Sequence, residues 1–217
     1  MRSDTATAGQ KDRTFTETAR RAQIVAAAID TIAELGYGQA SMARIAERVG
    51  ITKGVIAYHF DGKEELIREI LAEVMTQAQQ YMVPRITAES TGAGTLRTWI
   101  ESNLTFMAEH RNHLVAVVEI ARNARAADGR PLFDNSMLEA GAAALEQMLA
   151  RFQAAGEFRA DFDPQVLAGA IRAAIDAVPP ALARDPGLDV EHYGRELARL
   201  FDLATRNPQS RSRKRGQ

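Results

Sequence analysis

The sequence predicts an all-α protein, and three observations predict it. Alanine, the best helix former, supplies 39 of the 217 residues, while aromatic residues, which favour strands, make up 6%. Apolar residues recur at the 3.6-residue period of a helix over long stretches, and none reads as a convincing strand. Glycine and proline clusters break the chain at intervals of about one helix. The expected architecture is a short-helix N-terminal part followed by a longer helical bundle, about nine helices in all.

Residues 1–16 are small and polar and are expected to form a disordered arm. The first helix is expected at about 17–35, with Ile24, Ala28, Ile32 and Leu35 on one face and Gly36 placed for a left-handed C-cap. Short helices follow at about 42–49 and 53–59, with Ser41 and Thr52 as their N-caps. Asp61 and Glu64 have capping-box spacing and open a long helix expected to end near Val83, ahead of Pro84. Small residues at 90–94 then mark a boundary. Five more helices are expected at about 95–109, 112–126, 132–154, 164–177 and 189–205. In the third of these, Leu138, Gly141, Leu145, Met148 and Phe152 form a core-facing seam. The expected domains are 17–77 and 78–206, with a basic disordered tail at 207–217.

Composition excludes several classes. No apolar run nears the roughly 18 residues of a membrane helix, and the polar N-terminus has no signal-peptide core, so a soluble cytoplasmic chain is expected. Without cysteine there is no disulfide, thiolate metal site or cysteine nucleophile. The net charge of −1 hides an uneven spread. Residues 1–70 carry ten charges of each sign, 71–205 are net −6, and 206–217 are net +5. A nucleic-acid partner must therefore be read from local placement.

The sharpest local signal lies at 42–60. Ile45 and Val49 stand i,i+4 and face inward, Ala46 is small where a second helix crosses, and Gly50 suits a tight turn. Ile51 plugs the core from the turn, and Ile56 is the buried residue of the second helix. This is helix-turn-helix spacing at about 41–60. An αα-corner in an ordinary bundle also needs such a turn, so the residues left exposed decide between the two. Lys53, Gly54, Val55, Tyr58 and His59 on the second helix can approach and hold phosphates. Lys63 adds a cation near the start of the next helix, where the dipole already favours an anion.

The run Ser41-Met42-Ala43-Arg44-Ile45-Ala46-Glu47-Arg48-Val49-Gly50-Ile51-Thr52-Lys53-Gly54, with Tyr58-His59-Phe60 and Lys63-Glu64-Glu65-Leu66, resembles the DNA-binding domain of the TetR family of transcriptional regulators. The likeness spans about residues 17–70. It implies a homodimer that represses transcription at a palindromic operator until a small, mainly apolar effector binds the C-terminal domain. The DNA-facing residues it implies, with the exposed set above, are Ser41, Arg44, Thr52, Lys53, Gly54, Val55, Tyr58, His59 and Lys63. Val55 and Ala57 depart from the usual family residues, although Val55 can still meet a thymine methyl. Lys11 and Arg13 are expected to follow a groove.

Dimerisation is expected from two stripes on the last helices, Leu167, Ile171, Ala174, Ile175 and Val178 with Tyr193, Leu197, Leu200, Phe201 and Ala204. An effector is expected among Trp99, Asn103, Phe106, Met107, Val118, Asn123, Met137 and Asp176, apolar positions with a few polar anchors. His110 and His113 beside Glu109 lack a third ligand and read as capping residues, so no metal and no cofactor is expected. The alternatives are a constitutive or activating regulator, or an enzyme on a helical bundle. The chain has no Glu-x-x-His pair, Gly-x-Ser-x-Gly, Walker loop or His-Glu-x-x-His, which counts against an enzyme.

Overall fold

The computed structural model describes residues 5–133, 136–185 and 187–208, with side chains from residue 15 onward except 136–138 and 183. The expectations for Met137, for the Lys11 and Arg13 side chains and for the tail beyond 208 lie outside the described residues. The described residues form α1 (Thr5–Leu35), α2 (Met42–Val49), α3 (Lys53–His59), α4 (Gly62–Thr87), α5 (Gly92–Glu109), α6 (Arg111–Asn123), α7 (Ser136–Ala154), α8 (Pro164–Asp176), α9 (Val178–Arg184) and α10 (Val190–Thr205). All nine expected helices are present, and no strand occurs among the described residues.

The differences have physical causes. The stretch expected as an arm is helical from Thr5. Ala6, Ala8, Gln10 and Lys11 are good helix formers, and extending a helix already nucleated downstream costs little per residue. The helix α4 continues through Pro84 to Thr87 instead of stopping at Val83. Gln80, four residues back, is exposed, so water can take the carbonyl that proline leaves unbonded. The extra helix, α9, starts where Pro179 and Pro180 suggested only a break. Both prolines sit in its first turn, where N–H groups have no helical partner anyway.

The chain divides into two compact units. The first comprises Met1–Val74 and Asn112–Phe133. Its core joins Ile24, Ala28 and Ile32 of α1, Ile45 and Ala46 of α2, Ile56 of α3 and Leu66, Ile67 and Ile70 of α4. Ala116, Ile120 and Ala124, all fully buried, complete it. Residues 112–133, which the sequence alone groups with the second domain, thus pack into the first unit.

The second unit comprises Met75–Arg111 and Asp134–Gln217. Here α5 packs along α10, and α7 along α8. Leu96, Ile100 and Leu104 of α5, Leu145 and Leu149 of α7, and Ile171 and Ile175 of α8 form much of its core. Asp163 and Asp189 cap α8 and α10 through their carboxylates. The stripes expected at an interface rotate partly inward: Ile171, Ile175, Val178, Leu197 and Phe201 are buried in the chain's own core. The apolar surface left outside is Val166 on α8, at 69% exposure, and Leu200 and Leu203 on α10, at 59% and 56%. Periodicity identifies a helix's apolar faces; the packing of neighbours decides which one is consumed.

Candidate nucleic-acid interface

The turn between α2 and α3 is built locally. Ser41 begins α2 by accepting the Arg44 N–H on its Oγ at 3.3 Å. The helix ends at Gly50, whose φ of 74° is left-handed and favours glycine. The Gly50 N–H donates to the Glu47 carbonyl at 3.1 Å and the Ile51 N–H to that of Ala46 at 3.0 Å, a Schellman closure. Thr52 occupies the N-cap position of α3, but its side chain makes no capping hydrogen bond. Its hydroxyl is therefore not committed to the helix end.

Ile56, with no exposed surface, anchors α3 to the core. The opposite side of this helix is open: Lys53, Gly54, Ala57 and Tyr58 are exposed, and Val55 is at 37%. Tyr58 is 77% exposed and meets the His59 ring edge-on at 5.1 Å between centroids. His59 itself is half-buried, with Nδ1 enclosed and without a hydrogen-bond partner. The outward group is thus a lysine, a phenol and a small apolar patch around a glycine. Such a surface can hold phosphates and touch base edges.

The cations differ sharply in how free they are. Arg44 is exposed and donates to the neutral Gln39 amide oxygen at 3.3 Å. Arg48 is matched by Glu34 and by Asp30, the latter at 3.9 Å, and the Glu34 carboxyl is held below the usual carboxylate range chiefly by its hydrogen bond to Arg48. Lys63 is held within the unit, its Nζ donating to the Tyr37 carbonyl at 2.7 Å and lying 3.9 Å from the centre of the Tyr37 ring. Burial lowers its pKa by stripping water from the ammonium. Folding then disfavours its charged form, and its proton leaves at lower pH than from an ordinary lysine. Phosphate binding at Lys63 is expected to fall on the alkaline side earlier than surface lysines dictate. Binding titrations against pH with wild type and Lys63→Arg check this, since arginine keeps its charge and should flatten that limb.

Arg21 is a residue the sequence reading missed. From α1 it donates to the His59 carbonyl, stacks 4.2 Å from the Phe60 ring centre, and pairs with Glu65 and Glu69 at 3.2 Å each. One side chain therefore fastens the end of α3 to α1 and α4. No spacing rule points to it, because its partners lie 38 to 48 positions away. The capping box at α4 is also redrawn: Glu65, not Glu64, accepts the Asp61 N–H, while Glu64 pairs with Arg68.

The expected effector residues separate. Trp99, Asn103 and Phe106 lie on the buried face of α5 with Met107 half-buried, and Asn103 donates to the Trp99 carbonyl at 3.2 Å. Val118 and Asn123 belong to the first unit, where Asn123 is exposed and donates to Glu119. Asp176 is exposed and pairs with Arg172. A cleft of about 300 Å³ in the second unit is lined by Ala93, Glu157, Phe158, Asp202, Thr205, Arg206 and Asn207, none of the expected set. Among the described residues no three His, Asp or Glu side chains gather as a metal site, and no helix is long and apolar enough to cross a membrane.

Residues 24–70 match the family model for bacterial regulatory proteins of the tetR family. The chain is 29% identical over 102 residues to the fatty acid metabolism regulator protein of Bacillus subtilis, covering 46% of this chain and 53% of that one. It is 31% identical over 78 residues to the HTH-type transcriptional regulator BetI of Klebsiella pneumoniae, covering 36% and 40%. The chain thus spans about half or less of these curated relatives. Its fold is that of the regulator FadR from Bacillus subtilis, solved in complex with stearoyl-CoA, with a TM-score of 0.72, 24% identity, and coverage of 82% and 95%.

Proposed function

We propose that this chain, a member of the TetR family of bacterial regulatory proteins, is a helix-turn-helix transcriptional regulator rather than an enzyme, and that it acts as a homodimeric repressor. In this reading it binds a palindromic operator through α3 and is released by a small, mainly apolar effector. One observation carries the DNA side: Ile56 is the one buried residue of α3, while Lys53, Val55 and Tyr58 stand outside. Ser41, Arg44, Thr52 and Gly54 flank them on the same turn, with His59 supporting Tyr58. The B. subtilis structure carries a long acyl thioester. Acyl-CoA esters are therefore the first effectors to test.

The dimer in this reading forms on the surface that folding leaves apolar, Val166, Leu200 and Leu203, with Leu167, Ala174, Tyr193 and Ala204 half-buried beside it. Two-fold symmetry then places two recognition helices on half-sites about 34–36 Å apart or somewhat more. Leu200→Glu is expected to yield a folded monomer in analytical ultracentrifugation with greatly weakened operator binding. A stable dimer of that variant would move the interface elsewhere.

The experiment that tests the whole is selection of duplexes from a random library, followed by release assays. A repressor of this kind recovers an inverted repeat. A true effector must bind free protein more tightly than the operator complex, by the same factor that it weakens DNA binding. Ligands that bind the protein and leave operator affinity untouched would favour a constitutive or activating regulator.

A further inference from the structure

The two helix ends of the reading head are closed in different ways. The end of α2 is self-sufficient, both of its capping N–H groups returning to its own carbonyls. The end of α1 is not. Gly36, at φ 77°, returns its N–H to the Ile32 carbonyl at 2.9 Å, but the next N–H, that of Tyr37, has no bond within its own helix. It donates instead to Oε2 of Glu119 on α6, at 3.1 Å, across 82 positions of sequence. The same carboxylate accepts from Asn123 Nδ2 at 3.3 Å. A Cβ added at Gly36 would stand at ordinary contact distance from that oxygen, 3.4 Å, so it is the left-handed backbone that favours glycine here.

Tyr37 is the residue that holds Lys63, through its carbonyl and its ring. Glu119 grips one end of Tyr37, and Lys63 leans on the other. A second tie keeps α6 in register, Asn112 Nδ2 donating to Asp30 Oδ1 at 2.8 Å, and Ala116 and Ile120 bury the helix in the same core. An ammonium has three donors, and Tyr37 accounts for one by hydrogen bond, which leaves N–H groups for a phosphate.

We infer that Glu119 is a positioning residue for operator binding: from α6 it fixes Tyr37, and through Tyr37 it places the Lys63 ammonium in the first turn of α4. The inference rests on the reading above that Lys63 meets a DNA phosphate. It makes α6 part of the DNA-binding machinery without touching DNA. Any event that shifts α6 then changes the placement of a phosphate contact directly.

The test uses the full chain and a duplex selected by the wild type, with affinity measured across a salt series for Lys63→Met, Glu119→Ala, Glu119→Gln, Glu119→Asp and the Lys63→Met/Glu119→Ala pair. Losing one cationic phosphate contact lowers the log–log salt slope by about one unit. Lys63→Met is expected to show that drop, and Glu119→Ala to show it too, with affinity about fivefold to tenfold weaker, the scale of one lost polar contact. Glu119→Gln keeps an acceptor oxygen at the same reach and should retain the wild-type slope. The double variant should bind no worse than Lys63→Met alone. Glu119→Asp, which withdraws the carboxylate by one methylene, repeats the slope measurement if the alanine variant does not fold, and a lowered slope is again expected. A role confined to stability would lower the melting temperature and leave the slope at its wild-type value, and that result overturns the inference. Additive losses in the double variant overturn it as well. An unchanged slope and affinity in Lys63→Met would instead remove Lys63 from the DNA, and the inference with it.

Discussion

Replacing Lys53 and Tyr58 together by alanine is expected to abolish operator recognition in a protein that still folds. Each side chain at a phosphate or base edge accounts for roughly 1–3 kcal/mol of binding, so each single variant should bind more weakly by about a factor of five to a hundred or more. The pair sits on one face of α3, and its losses should accumulate to about thirtyfold at the least. Neither change touches the core. Tyr58 is 77% exposed, Lys53 is exposed, and the helix is anchored through Ile56. Stability should therefore move by only about 0.5 kcal/mol. Fluorescence anisotropy on a selected duplex, read beside a thermal melt, separates the two effects. A folded double variant that binds like wild type would place the recognition surface elsewhere.

The largest stability effect is expected at a residue far from the helix-turn-helix in sequence. Ile120 on α6 is fully buried in the core it shares with α1 to α4. Truncation to alanine removes apolar contacts and leaves a cavity, which costs about 2–5 kcal/mol. Val115 on the same helix is 39% exposed, so Val115→Ala is expected to stay within about 0.5 kcal/mol. Urea denaturation compares them, and hydrogen exchange at α1 and α2 amides shows where stability is lost. Wild-type protection of those amides in Ile120→Ala would detach α6 from that core.

The helix-turn-helix was legible because its constraints are local. Ala46, Gly50, Ile51 and Ile56 lie within about three helical turns of sequence, so residue type and spacing specify the geometry without the rest of the chain. The start of α2 was legible for the same reason at Ser41, which is bonded to an amide three residues on, whereas Asp163 and Asp189 were found as caps only in the structure. Prolines misled in two places because position within a helix sets their cost. Pro179 and Pro180 lie in a first turn, and Pro84 lies in an exposed last turn.

Sequence by itself determined the helical class, the order of helices, the turn that presents α3 and the family to which that turn belongs. These follow from propensity, period and contacts a few residues apart, which act before the chain closes on itself. Tertiary structure decided which neighbour each apolar face meets. It turned Ile171, Ile175, Val178, Leu197 and Phe201 inward and left Val166, Leu200 and Leu203 outside. It brought Arg21 to the end of α3 and seated α6 in the first unit's core, with Glu119 on Tyr37 and Tyr37 on Lys63. A helical period shows that a face is apolar but carries no address for its partner, and an ion or amide bonded across 82 positions leaves no periodic trace.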